Sequence, residues 1–150
     1  RGLGDVYKRQ DVVYEDVEYL FVDMPPGTGD VPLTVFQTLP VDGVLIITSP
    51  QELVSMVVEK AINMTKMMQI PVFGIIENMS YFEAPDTGKQ YAVFGESSIA
   101  TVAAQNGLPL LARLPIDPQL TNLIDAGRVE EADTEAFRPI LSAILERTEA

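Results

Sequence analysis

The stretch Glu18 to Asp30 reads E-Y-L-F-V-D-M-P-P-G-T-G-D. Tyr19 to Val22 are aromatic, aliphatic and uncharged, the composition of a strand buried on both faces of a parallel sheet. The run stops at Asp23, and Pro25, Pro26, Gly27, Thr28 and Gly29 follow at once. A carboxylate and a row of backbone amides are thereby expected at the carboxyl edge of the sheet, where open α/β folds bind ligands. In nucleotide hydrolases a strand-end Asp holds Mg²⁺, usually through water, and a nearby Gly turns its N–H to the terminal phosphate because no side chain blocks the approach. The same stretch also reads as an ordinary strand-to-helix turn with Asp30 as the helix N-cap.

P-P-G-T-G occurs inside phosphate loops as well, but there the full pattern is G-x-x-x-x-G-K followed by Ser or Thr. Here Met24 stands at the leading Gly, Asp30 at the Lys and Val31 at the hydroxyl residue. An acid at the lysine position would repel the phosphates. The Gly88-Lys89 pair fails too, with Glu83 where the leading Gly belongs. These 150 residues contain no phosphate loop.

Composition narrows the class. At 150 residues and 47% hydrophobic, one good core and one domain are expected. The 22 acidic residues against 10 basic give a net charge of -12, which opposes nucleic acid and anionic lipid as partners of the general surface. No cysteine is present, so disulfides and thiolate metal sites are excluded within the chain. No apolar run approaches the ~20 residues that span a bilayer, and no signal peptide is visible, so a cytoplasmic protein is expected.

Residues 1–10, R-G-L-G-D-V-Y-K-R-Q, carry three basic groups against Asp5, leaving 7 basic and 21 acidic for the remainder. This segment reads as a non-native leader from an assembly junction. Without an initiating Met, residues 11–150 are then expected to be the C-terminal part of one larger nucleotide-binding domain.

Further along, Val31 to Leu39 predict a short helix closed by Pro40. Gly43 to Thr48 predict a second buried strand. Ser49, Pro50, Gln51 and Glu52 form a capping box with Pro at the first helical position. The helix it starts runs to about Gln69, its apolar face including Val54, Val57, Val58, Ala61 and Ile62. Pro71 to Ile76 predict a third strand ending at Glu77-Asn78-Met79-Ser80, with Asn78 also readable as a turn former. Tyr81 to Phe94, with Pro85 and Gly88 inside an aromatic frame, predict a protruding ordered loop or hairpin. A helix from Gly95 to Asn106 stops at Gly107, and Leu110 to Leu114 are a fourth strand. Asp117 caps a helix that stops at Gly127, and a last amphipathic helix, about Thr134 to Arg147, buries Phe137, Ile140, Leu141, Ile144 and Leu145. Strand and helix alternate, and every strand is apolar. The fold class is α/β, a mostly parallel sheet with flanking helices. Asp23, Asn78 and Asp117 are expected to converge on one edge of it.

Asp23-Met24-Pro25-Pro26-Gly27-Thr28-Gly29-Asp30, Thr48-Ser49-Pro50-Gln51, Glu77-Asn78-Met79-Ser80-Tyr81-Phe82, Phe94-Gly95 and Leu114-Pro115-Ile116-Asp117-Pro118 together carry a resemblance. They resemble the Mrp-type (ApbC-like) iron-sulfur cluster carrier ATPases, of the MinD/ParA class of P-loop NTPases, over nearly everything from Asp11 to Phe137. The resemblance implies a cytoplasmic homodimer that binds ATP with Mg²⁺ and carries a [4Fe-4S] cluster to recipient apoproteins. It implies Asp23 as the Mg²⁺-associated acid and Gly27 as the switch amide near the γ-phosphate. Asn78 would hydrogen-bond adenine, which an amide can match bidentately, and the Pro115 to Asp117 turn would close over the base. For orienting the attacking water, Asp30 and an acid ahead of Asp11 are both open.

Two departures stand out. The family's phosphate loop would lie ahead of Asp11. Its cluster ligands form a C-P-x-C loop just after N-M-S-Y-F, two thiolates per subunit and four per dimer, whereas Ala84 and Thr87 hold those positions here. Methyl and hydroxyl groups do not replace thiolates on iron. Two other functions fit the scaffold: a non-enzymatic regulatory or adaptor protein, and a MinD- or ParA-like positioning ATPase, which the acidic surface disfavours.

Overall fold

The computed structural model describes residues 16–51 and 54–148. The expected leader, residues 1–10, and Glu52 of the expected capping box lie outside them. Among the described residues, five helices and four strands follow in chain order: α1 (Asp30–Thr38), β1 (Val44–Thr48), α2 (Val54–Met67), β2 (Val72–Glu83), β3 (Gln90–Tyr91), α3 (Ile99–Gln105), β4 (Leu110–Pro115), α4 (Pro118–Asp125) and α5 (Arg138–Thr148). Two 3₁₀ turns, Val129–Glu131 and Glu135–Phe137, connect α4 to α5.

β1, β2 and β4 form a parallel sheet with β2 in the middle, and β3 pairs antiparallel with the far end of β2. The centre of β2, Val72 to Glu77, is buried throughout, as expected for a strand covered on both faces. An extra residue in β2 sets which side chains meet which layer: Val44 pairs with Val72 but Leu45 pairs with Gly74, so Phe73 bulges. A bulge breaks the two-residue alternation. Val72 and Ile75, three apart, therefore share one core cluster with Val58 and Ile62 of α2 and with Ile99 and Val102 of α3. Phe73 and Ile76 enter the other cluster, with Ile140 and Ile144 of α5. Helices thus cover both faces, which bears out the α/β class.

The helix stops follow from left-handed closures that satisfy the last carbonyls. Gly107 (φ 67) and Gly127 (φ 67) close α3 and α4, as the sequence predicts. α2 ends in the same way without glycine: Ile70 N–H reaches Thr65 C=O at 2.9 Å and Gln69 N–H reaches Lys66 C=O at 3.2 Å, with Gln69 at φ 58.

Several expectations are corrected. Tyr19 to Val22 form no strand and are 41 to 71% exposed. Among the described residues no strand lies beside them, and a single extended segment with neither ladder partner nor covering layer has nothing to bury. Asp30 is the first residue of α1 rather than its cap; the N-cap is Gly29, with no side-chain bond. β2 does not stop at Ile76 but runs on to Glu83. Val57 and Leu141, expected on apolar faces, are exposed, because the neighbouring layer covers a narrower stripe of each helix than the periodicity suggests.

Candidate functional site

The carboxyl edge of the sheet is shaped by a second irregularity in β2. Against β4, Glu77 pairs with Arg113 and Tyr81 with Pro115, so four steps of β2 oppose two of β4. Asn78, Met79 and Ser80 stand opposite Leu114 alone, a surplus of two residues, and bulge from the ladder. Met79 takes φ 55, a left-handed conformation costly for a residue with a Cβ. Its N–H is met by Asn78 Oδ1 at 2.9 Å, and Asn78 itself is exposed. Bulges at sheet edges re-aim side chains, and this one sets Asn78 at the strand's end.

Beside it, Ile116 N–H binds Tyr81 C=O at 2.7 Å. The turn from Pro115 to Asp117 is thus joined to the strand that carries Asn78. The Asp117 carboxylate accepts from the N–H groups of Gln119 (2.8 Å) and Leu120 (3.2 Å), and Pro118 takes the first helical position of α4. The predicted cap is borne out. Asn78, Pro115 and Asp117 come together at one edge.

Under the bulge lies a group to which the sequence reading gave no role. Glu77 is fully buried. Ser80 Oγ donates to its Oε2 at 2.5 Å, Ser97 Oγ donates to Oε1, and Arg113 Nε stands 3.3 Å from Oε2 with its side chain half exposed. A buried carboxylate is tolerated when its lone pairs are met by such donors. The sequence shows Glu77 and Arg113 as opposite charges beside apolar runs, but only the pairing of β2 with β4 shows that they face each other.

Past Phe82 the chain forms the expected hairpin. Phe82 pairs with Tyr91 and Glu83 with Gln90. At its tip Ala84 C=O receives the N–H of Thr87 (3.3 Å) and of Gly88 (2.8 Å), with Gly88 at φ 65.

Asp23 and Gly27 are exposed, Gly27 at φ 96, in a segment without regular structure. Thr28 and Leu33 line a shallow cavity of about 330 Å³ with Met64, Met67 and Met68. Lys60 and Asn63 line it too, so it runs along the second half of α2, and Met68 follows the helix on the way to the start of β2. Asp30 opens α1, and among the described residues no hydrogen bond or ion pair joins Asp23, Gly27 or Asp30 to Asn78, Pro115 or Asp117. Among the described residues no three Asp, Glu, His or Cys side chains gather as a metal-holding group.

The family model for ParA, described as NUBPL iron-transfer P-loop NTPase, matches residues 8–148. The chain belongs to this family. Among its relatives, the "Iron-sulfur cluster carrier protein" of Clostridium perfringens is 42% identical over 144 residues, which are 96% of this chain and 49% of that protein. The protein of the same name from Methanocaldococcus jannaschii is 39% identical, over 93% of this chain and 50% of that one. A solved nucleotide-binding protein from Archaeoglobus fulgidus, in complex with ADP, is 44% identical with a TM-score of 0.70, over 77% of this chain and 47% of that one. The NUBPL-type chain thus spans about half the length of these relatives. No helix among its described residues is long and apolar enough to cross a membrane.

Proposed function

We propose that this chain supplies the base-binding side of an iron-sulfur cluster carrier ATPase. The observation that carries the reading is the Asn78 bulge fastened beside the Pro115 to Asp117 turn, in a chain 44% identical to a protein solved with ADP. An exposed amide at a sheet's carboxyl edge offers both a donor and an acceptor to adenine, and the turn forms a wall for the base. Asp23 as the Mg²⁺-associated acid, Gly27 as the switch amide and Asp30 as a candidate for orienting water belong to the same proposal, with support from their D-M-P-P-G-T-G-D pattern alone. So do the homodimer, the cytoplasmic setting and the recipient apoproteins.

The cargo, a [4Fe-4S] cluster, does not fit the residues present. Ala84 and Thr87 occupy the ligand positions and the chain has no cysteine, so no transfer step is derived through this hairpin. That mismatch favours one second reading, an adaptor on the same scaffold.

Without a phosphate loop the chain lacks the amides and Lys that hold a triphosphate, so ADP is expected to bind weakly and ATP is not turned over. Saturation-transfer NMR, which detects weak ligands, is the test. ADP adenine protons should receive saturation from the chain, GDP much less, and Asn78→Ala should erase the difference. Equal signals for adenine and guanine, unchanged by Asn78→Ala, would leave Asn78 a turn former and the base-side reading without support.

A further inference from the structure

We propose that Glu77 is a positioning residue, a buried clasp that locks the base-reading bulge and the hairpin root into one unit. Its three partners come from three places in the chain. Ser80 lies in the bulge, Ser97 lies just before α3 where the chain returns from the hairpin, and Arg113 lies on β4. One carboxylate therefore joins both ends of the excursion from Ser80 to Ser97 and ties them to the neighbouring strand. Ser97 also accepts from Ile99 N–H at 3.1 Å, so the clasp is continuous with the start of α3, whose Ile99 is buried in the core.

The need for such a clasp is visible in the backbone. Met79 at φ 55 sits between Asn78 and Ser80, and strained conformations persist where surrounding contacts over-determine them. On one side Asn78 Oδ1 holds the Met79 N–H, and on the other Ser80 is held by Glu77. Charge-assisted hydrogen bonds in a site screened from water are the stronger kind. With the clasp closed, Asn78 and the turn at Ala84 to Thr87 keep a fixed relation. With it open, the hairpin is left with its two-residue ladder to β3, a pairing too short to be stable alone. That the bulge faces adenine rests on the function proposed above; the clasp itself does not.

Hydrogen exchange of the 150-residue chain, without nucleotide, metal or cluster, tests the idea in Glu77→Gln, Ser97→Ala and Ser97→Thr. The decisive amides are Ala84, bonded to Lys89 C=O, and Ile116, bonded to Tyr81 C=O, because neither touches the substituted side chains. They should exchange about tenfold or more faster in Glu77→Gln and Ser97→Ala, while Ser97→Thr, which keeps the hydroxyl, restores the slow rate. Amides of α2 should not change. Ile62→Val, a core variant in α2, controls for general loss of stability and should leave the ratio of hairpin to α2 exchange as it was. Wild-type rates at Ala84 and Ile116 in both clasp variants would overturn the proposal, as would equal loosening of every element. If Glu77→Gln does not fold, the Ser97→Ala and Ser97→Thr pair decides alone. Failure of ADP to bind would sink the base-side reading and leave the clasp standing, so the two fail separately.

Discussion

Ile116 gives its backbone N–H to Tyr81 across 2.7 Å, immediately after Pro115, which has no N–H to give. This bond restores the ladder after three residues of β2 that oppose only one of β4, and so it fixes where Asn78 stands relative to the Pro115 to Asp117 turn. Sequence supplied the ingredients: a Pro that cannot donate, an Asp that caps, and a second Pro at the first turn of α4. The pairing with a strand 35 residues earlier in the chain is what turns them into a site.

Asp117→Ala should therefore cost stability at one identifiable place. Its carboxylate meets two of the free N–H groups at the start of α4, and losing such a cap costs about 1 kcal/mol. Urea denaturation should show that loss, and Asp117→Asn, which keeps an acceptor, should show little of it. Equal losses in both variants would mean the charge rather than the cap is what matters.

Glycine content is not interchangeable along the sheet. A Cβ at Gly74 would sit 2.5 Å from Leu111 Cγ and 3.0 Å from the Pro109 carbonyl oxygen. That carbonyl already receives Ile75 N–H at 2.9 Å, so the backbone retreats only by breaking a ladder bond. Gly74→Ala should destabilise by about 1–3 kcal/mol, the usual cost of overpacking. Gly29→Ala, with nothing within 4 Å of the new carbon, should lose less in the same denaturation experiment, only the preference for Gly over Ala at the N-cap it occupies, about 1 kcal/mol or under.

The pair Arg128 and Glu131 makes a local test of electrostatics. Two hydrogen bonds, 2.6 and 2.5 Å, join the guanidinium to the carboxylate on the exposed turn after α4. The guanidinium holds the Glu131 carboxyl below its ordinary value. A carboxyl lowered in the folded state contributes stability above its unfolded pKa, and that contribution is lost as pH falls through the folded value. In Arg128→Gln the Glu131 midpoint, followed by carboxyl carbon NMR, should rise toward the ordinary glutamate range. Added salt should move the wild-type midpoint the same way, because the pair is exposed and screened. An unchanged midpoint in the variant would remove Arg128 as the cause.

Much of this fold is local enough to read in advance. The runs read as strands at 43–48 and 110–114 are strands at 44–48 and 110–115, Gly107 and Gly127 stop their helices, and Asp117 caps as its neighbours suggest. What escaped depends on distant partners. Tyr19 to Val22 have strand composition, yet composition does not provide a neighbour, and without one they stay exposed. The continuation of β2 through Glu77 was hidden because a charged residue in a strand is readable only once Ser97 and Arg113 are known to face it. The bulges at Phe73 and at Asn78 to Ser80 are properties of paired registers, and no single strand's sequence states its partner's count.

The hairpin gives the sharpest test of descent from a metal-binding loop. Thr87 and Gly88 both donate to the Ala84 carbonyl, so Ala84 and Thr87 lie at the two ends of one tight turn, whose end Cα atoms stand within about 7 Å. Pro85 fixes the backbone between them and lowers the entropy lost when two side chains are aimed at one target. As it stands the chain should gain no [4Fe-4S] absorption on anaerobic incubation with iron and sulfide, because a methyl and a hydroxyl replace the thiolates. The double change Ala84→Cys with Thr87→Cys should restore that absorption, and only in a species that elutes as a dimer, since each loop supplies two of the four thiolates a cluster needs. Cysteines at Glu83 and Asp86 are the control. Glu83 is in the two-residue ladder, paired with Gln90 and hydrogen-bonded to its side chain at 3.0 Å, so that pair does not span the turn. If the 83/86 pair took up a cluster as readily as the 84/87 pair, the turn geometry would carry no preference for metal, and the carrier reading would stand on the nucleotide side alone.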